Sequence, residues 1–392
     1  MFKIFFALIL GVLAGTITGI IPGLHINLIA ALVLTMPKID IIFLLCFLVS
    51  MAITHTFMDF IPSIFLGLPK EDNFLALLPG HRFLIKGYGY AAAKLTLIGS
   101  FFGCILAIIF SPFYMKFISF SWIFLKKTVP FFLLFVSIFL IFKENKKIIA
   151  LIVFLLSGIL GILTLNFKLI SQPLLPLFSG LFGLPLLFLS IKNKIKIKKQ
   201  EIKEIKIKKH EYIKSLSAGL ISSSLVSIYP SLGPGQAAII GSEMFGKLNT
   251  KSFLILVGSI NTIVMIFSFV SAYAIKKGRT GIAATILNIL SEISLKDLIF
   301  ILIVSLIASC LCVFIFILIS KYIAKNINKI NYSILCLIGI ICILVINILV
   351  SGVASLIVLF TGLFIGLIAN IKEIRKVHLM GCLVIPVLGF YF

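Results

Sequence analysis

The feature that most constrains this chain is the recurrence, from end to end, of apolar runs with almost no charge inside them. A bilayer core about 30 Å thick takes roughly 20 apolar residues per crossing helix, and lipid is the solvent that tolerates such runs. Spans are expected at 2–21, 41–68, 90–110, 129–142, 148–165 and 173–190. After a basic gap they resume at 215–229, 252–275, 298–320, 332–350, 352–370 and 378–392. Shorter apolar pieces at 26–36, 236–245 and 281–290 are half-length. The expected fold is an all-α polytopic integral membrane protein with about twelve spanning helices. The runs do not alternate apolar and polar residues, which argues against a β-barrel. Lys3 followed by an apolar run resembles a secretory leader, but no polar domain follows it, so it reads as an uncleaved first span.

Only 12% of the 392 residues are charged, too few to coat a soluble body in polar groups. The net charge of +23 raises nucleic acid as a partner, but its distribution argues otherwise. Ten lysines fall between Lys192 and Lys214, beside three glutamates. Others cluster in short gaps: Lys126 and Lys127, Lys276 to Arg279, Lys321 to Lys329, and Lys372 to Lys376. That pattern belongs to loops held at the cytoplasmic face of a cell membrane, near anionic head groups. The seven cysteines all lie within apolar runs and read as small packing residues.

Residues 191–214 divide the chain into a first membrane repeat, 1–190, and a second, 215–392. The divider reads as a basic cytoplasmic linker, with a short β-ribbon as the alternative because its apolar residues alternate in places. Setting Gly11 on Gly219 brings Ile20 onto Ile228, Pro22 onto Pro230, Leu24 onto Leu232 and Ala30 onto Ala238. Each copy is a helix, a Pro-x-Leu break and a half-length apolar piece. Each is followed by a long span with polar residues at its centre: Thr54, His55, Thr56 and Asp59, then Asn261 and Thr262.

Matched Pro and Gly interruptions are the best sequence pointer to a carrier's binding site. Irregular backbone at membrane depth is tolerated only where protein or a water-filled cavity satisfies it. A helix restarting after the break offers free N–H groups and the positive end of its dipole to an anion. The candidate substrate-binding residues are Pro22, Gly23, His25, Asn27, Pro230, Gly233, Gly235 and Gln236. A Pro-kinked helix without ligand is the bland alternative.

Asp59 is the sharpest single residue. A charge at the bilayer centre costs at least about 2.5–3.5 kcal/mol, so it is protonated, paired or facing a polar cavity. His55, four residues earlier, shares its helical face. Thr54, His55, Asp59, Asn261, Thr262 and Glu243 are candidates for a coupling-ion site binding H⁺ or Na⁺. Glu243 has two readings: a buried carboxylate of the second half, or the end of a short helix at the surface. His25, His55 and His81 show no metal-ligand spacing, and no cofactor is expected. No nucleotide-binding or serine-hydrolase motif occurs, so neither ATP-driven transport nor enzymatic activity is expected. Gly11, Gly15 and Gly19 form a flat stripe for close helix packing.

Three stretches together resemble one family. They are GIIPGLHINLIAAL from Gly19, LGLPKEDNFLALLPGHRFLIKGYGYAAAKLTLIGSFFG from Leu66, and YPSLGPGQAAIIGSEMFG from Tyr229. They resemble the TctA family, the large membrane subunit of tripartite tricarboxylate transporters, at Gly67, Pro69, Gly80, Gly87, Ala91 and Gly103. The second break departs from the pattern, reading Pro230-Ser231. The resemblance implies an inverted repeat, a carrier driven by H⁺ or Na⁺, a small membrane partner and an extracytoplasmic binding protein. The function expected is secondary transport (permease or symport activity) of an organic anion such as a di- or tricarboxylate, and a homodimer fits it. The rivals are a transporter of a lipid-linked phosphate, an enzyme acting on lipid, and a non-transporting scaffold.

Overall fold

The apolar runs fold as helices in the computed structural model, which describes residues 2–21, 26, 29–30, 40–66, 74–192, 198–202, 207–227, 233–246, 248–329 and 332–391. The first half holds α1 (Phe2–Ile20), α2 (Ile41–Met58), α3 (Phe74–Ile85), α4 (Gly89–Phe142), α5 (Lys147–Leu165), α6 (Leu174–Phe178) and α7 (Leu184–Lys192). The second holds α8 (Lys209–Val226), α9 (Pro234–Met244), α10 (Thr250–Ile275), α11 (Gly281–Leu290), α12 (Leu295–Asn326), α13 (Tyr332–Ser351), α14 (Ser355–Ile371) and α15 (Gly381–Tyr391). Wide π turns cover Pro62–Leu66 and Ser179–Gly183, and a tight 3₁₀ turn covers Lys376–Met380. Among the described residues no strand occurs, and six helices are long and apolar enough to cross a membrane. The protein is an integral membrane protein.

Local chemistry sets several helix ends. Asp40 accepts the Ile42 N–H at the start of α2, and Asn249 accepts that of Ser252 at the start of α10. Ser294 and Asp297 form a reciprocal capping box on α12. Two runs expected as separate spans, 90–110 and 129–142, are joined in α4, with Pro112 and Pro130 inside it. Fifty-four residues at 1.5 Å each would make about 80 Å of straight helix, and proline is where such a helix can bend.

The linker differs from a freely solvated tether. Helix α8 begins at Lys209, inside it. Gln200, 8% exposed, accepts the Gly89 N–H at 2.8 Å and donates to the Leu84 carbonyl at 3.0 Å. Gly87 sits at φ +92° against the Lys199 carbonyl, where a side chain would be both strained and crowded. The stretch around Gln200 thus docks against the turn from α3 to α4.

Packing interleaves the two sequence halves. One large core draws on α1 to α4 and α8 to α12. A second group joins α5 and α6 with α14 and the α14–α15 connection, and a neighbouring cluster adds α7 and α13. At the centre of the first group α10 is buried over 94% of its apolar window, against 39% for α1 and α12. A helix apolar all round belongs inside a bundle, whereas the exposed Phe, Ile and Leu of the outer helices suit lipid. The basic cluster from Lys372 to Lys376 is not uniformly solvated: Lys372 is exposed, but the 3₁₀ turn packs Lys376 inside the protein.

Candidate functional site

Close approach of helices builds the site. A Cβ on Gly15 would stand 2.5 Å from the Met51 carbonyl and 2.7 Å from Thr54 Cβ; one on Gly19 would stand 2.3 Å from Met58 Cβ. The stripe is therefore a packing device, as expected, and it lays α1 along the polar turn of α2. Gly99 and Gly103 of α4 and Gly258 of α10 do the same on the other side, meeting the backbones of Ile255, Ser259 and Thr96.

These contacts enclose Thr54, His55, Thr56 and Asp59 completely, with Asp59 only 1% exposed. Asn261 and Thr262 of α10 lie opposite, equally buried. The Asn261 amide donates from Nδ2 to Asp59 Oδ2 at 3.0 Å and to the Thr56 carbonyl at 3.0 Å. The Thr56 and Thr262 hydroxyls lie 3.3 Å apart. His55 Nδ1 is 3.0 Å from the Thr18 hydroxyl, so His55 reaches toward α1 while Asp59 reaches toward α10. The Cys312 thiol of α12 donates weakly to the Thr54 carbonyl at 3.9 Å. The Thr54 hydroxyl is buried and has no hydrogen-bond partner among the described residues.

The polar centres of the two sequence halves thus meet at one place, more than two hundred residues apart in the chain. The set is a carboxylate, hydroxyls and a carbonyl, the hard oxygen donors that suit a small cation or a proton. Among the described residues no three His, Cys, Asp or Glu side chains gather as a metal site.

The remaining candidates are distributed differently. Glu243 takes the second of its two readings: it lies near the end of α9, partly exposed, in an ion pair with Lys143. Gly233 precedes α9, and its carbonyl accepts the Ala237 N–H at 3.2 Å; Gly235 is buried in the first turn. The backbone of Gln236 is in α9, and its side chain lies outside the described residues. So do Pro22, Gly23, His25, Asn27 and Pro230. Thr18 was not singled out in the sequence, although its place between Gly15 and Gly19 puts it on the stripe's face.

The model of the tripartite tricarboxylate transporter TctA family matches residues 5–381, nearly the whole chain. The chain belongs to the TctA family. That is a family of transporters and not of enzymes, and this member carries the family pattern in a bundle whose two halves share one buried polar centre. An uncharacterized protein of Methanocaldococcus jannaschii is 32% identical over 395 residues, covering 98% of each chain. No solved structure matches this TctA-family chain.

Proposed function

We propose that this chain is the membrane carrier of a secondary transport system for an organic anion of the di- or tricarboxylate class, coupled to H⁺ or Na⁺. The observation that carries the reading is the contact of Asp59 with Asn261, which joins the polar centres of both halves in one buried oxygen-rich site. Asp59, His55, Thr54, Asn261 and Thr262 are the coupling-ion residues in this reading. The restarted helices after the two breaks, with Pro22, Gly23, His25, Asn27, Pro230, Gly233, Gly235 and Gln236, receive the anion.

Two related, inverted repeats, 1–190 and 215–392, joined by a cytoplasmic linker at 191–214, give about twelve spans. One correspondence supports the repeat. A Cβ on Gly11 would meet Ser50 Oγ at 2.0 Å, and one on Gly219, 208 residues later, would meet Ser259 Oγ at 2.1 Å. In each half a glycine of the first helix meets a serine of the long polar-centred helix. Alternating access then arises when the core group moves against the second group. A small membrane subunit and an extracytoplasmic binding protein complete the system.

Reconstitution of the full chain in liposomes tests this. Labelled citrate and succinate uptake should rise when an inward H⁺ or Na⁺ gradient is imposed. Uptake indifferent to both gradients would overturn the coupled-carrier reading.

A further inference from the structure

The connection from α14 to α15 carries one acid, the exposed Glu373, and four basic side chains: Lys372, Arg375, Lys376 and His378. Three have evident settings. Lys372 is exposed. Arg375 donates from Nε to Glu144 Oε1, and His378 Nε2 lies 3.2 Å from the same oxygen. Lys376 differs. It is 5% exposed, and its Nζ meets no hydrogen-bond acceptor among the described residues. An ammonium taken out of water without a counter-charge is costly: burial lowers the Lys376 pKa to about 7, and an anion beside it favours the charged form.

Its place in the fold fits a ligand. The turn bearing Lys376 packs against α5 and α14 of the second helix group. His81 of α3, in the other group, lies within electrostatic range of the ammonium. The next residue, Val377, packs with Leu140 of α4 and Ile239 of α9, the helix that restarts after the second break. Gly80 lies against Ile64, in the π turn that continues α2 five residues beyond Asp59. Lys376 therefore stands at the boundary of the two groups, between elements from both sequence halves.

We propose that Lys376 is the buried cation that receives a carboxylate of the transported anion, with His81 contributing from α3. The inference rests on the anion-carrier reading above and adds to it a residue outside the two breaks. In a low-dielectric boundary a single ammonium–carboxylate contact is strong, and moving one group against the other opens and closes access to it.

Thermal unfolding of the purified full chain in detergent, titrated with citrate and with succinate, tests it. Citrate should raise the Tm of the wild type. Lys376→Met should raise the Tm without ligand, since a buried uncompensated charge is gone, and should weaken citrate binding by about tenfold or more. His81→Gln should weaken it several-fold, and Lys376→Arg should keep part of the response. Lys372→Met, at an exposed lysine four residues away, should respond as the wild type does. A wild-type citrate response that persists in Lys376→Met overturns this assignment and leaves the carrier reading standing. A wild type that responds to neither anion and takes up neither overturns both.

Discussion

At the residue scale the decisive contact is between Asp59 and Asn261. An aspartate this deeply buried is tolerated because the Asn261 amide donates to it. Asp59→Asn keeps the shape and allows a hydrogen bond with Asn261, but removes the charge. The expected outcome is a folded protein whose uptake no longer responds to H⁺ or Na⁺ gradients. Ion-to-substrate coupling is typically worth about 5–150-fold in affinity, which sets the size of the effect to look for. Uptake with wild-type gradient dependence would remove Asp59 from that role. The lone acid was legible in the sequence because hydropathy makes it stand out. Its partner was legible only as a polar residue in another span, since nothing local says that Asn261 faces Asp59 rather than some other helix.

At the element scale, glycine sets how close the helices come. Gly99 and Gly103 on α4 and Gly258 on α10 let two backbones approach until a Cβ would sit 2.1 to 2.8 Å from the neighbour's main chain. Because the obstacle is backbone, no side chain can rotate away to make room. Gly99→Val is therefore expected to destabilise the fold by about 1–3 kcal/mol or more, read as a lower Tm in detergent. Gly389 has nothing within 4 Å of an added Cβ, and Gly389→Ala should be nearly silent. The stripe at Gly11, Gly15 and Gly19 was readable from its four-residue spacing. The α4–α10 contact was not, because each helix carries its glycines at positions that only pairing makes meaningful.

At the scale of the whole molecule, the two halves are woven together. Glu144, in the turn between α4 and α5, holds Arg375 and His378 of the α14–α15 connection, 231 and 234 residues away. Burial pushes the Glu144 carboxyl up, but hydrogen bonds from Arg375 and its charge, with His378, outweigh it and hold the group below the ordinary glutamate range. A carboxylate depressed in the folded state stabilises that state above its unfolded pKa, and the stabilisation fades as pH falls through the folded value. Thermal stability in detergent should therefore decline on acidification below the range where a free glutamate protonates. Glu144→Gln should lower Tm at neutral pH and flatten that decline. An unchanged acid limb in the variant would assign the acid sensitivity to other groups.

The sequence by itself determined the solvent, the helical class and the family. Each rests on local information: apolar run length against bilayer thickness, glycine and proline at fixed offsets, and motifs matched along the chain. It also marked Asp59, His55, Asn261 and Thr262 as exceptions within apolar runs. Only the tertiary structure decided which exceptions meet, that Glu243 stands apart with Lys143, that part of the basic linker is docked, and that one lysine of a surface-like cluster is buried. The physical reason is that burial and pairing depend on residues far off in the chain. A lysine beside an apolar run reads the same whether water, a glutamate or the packed interior lies against it.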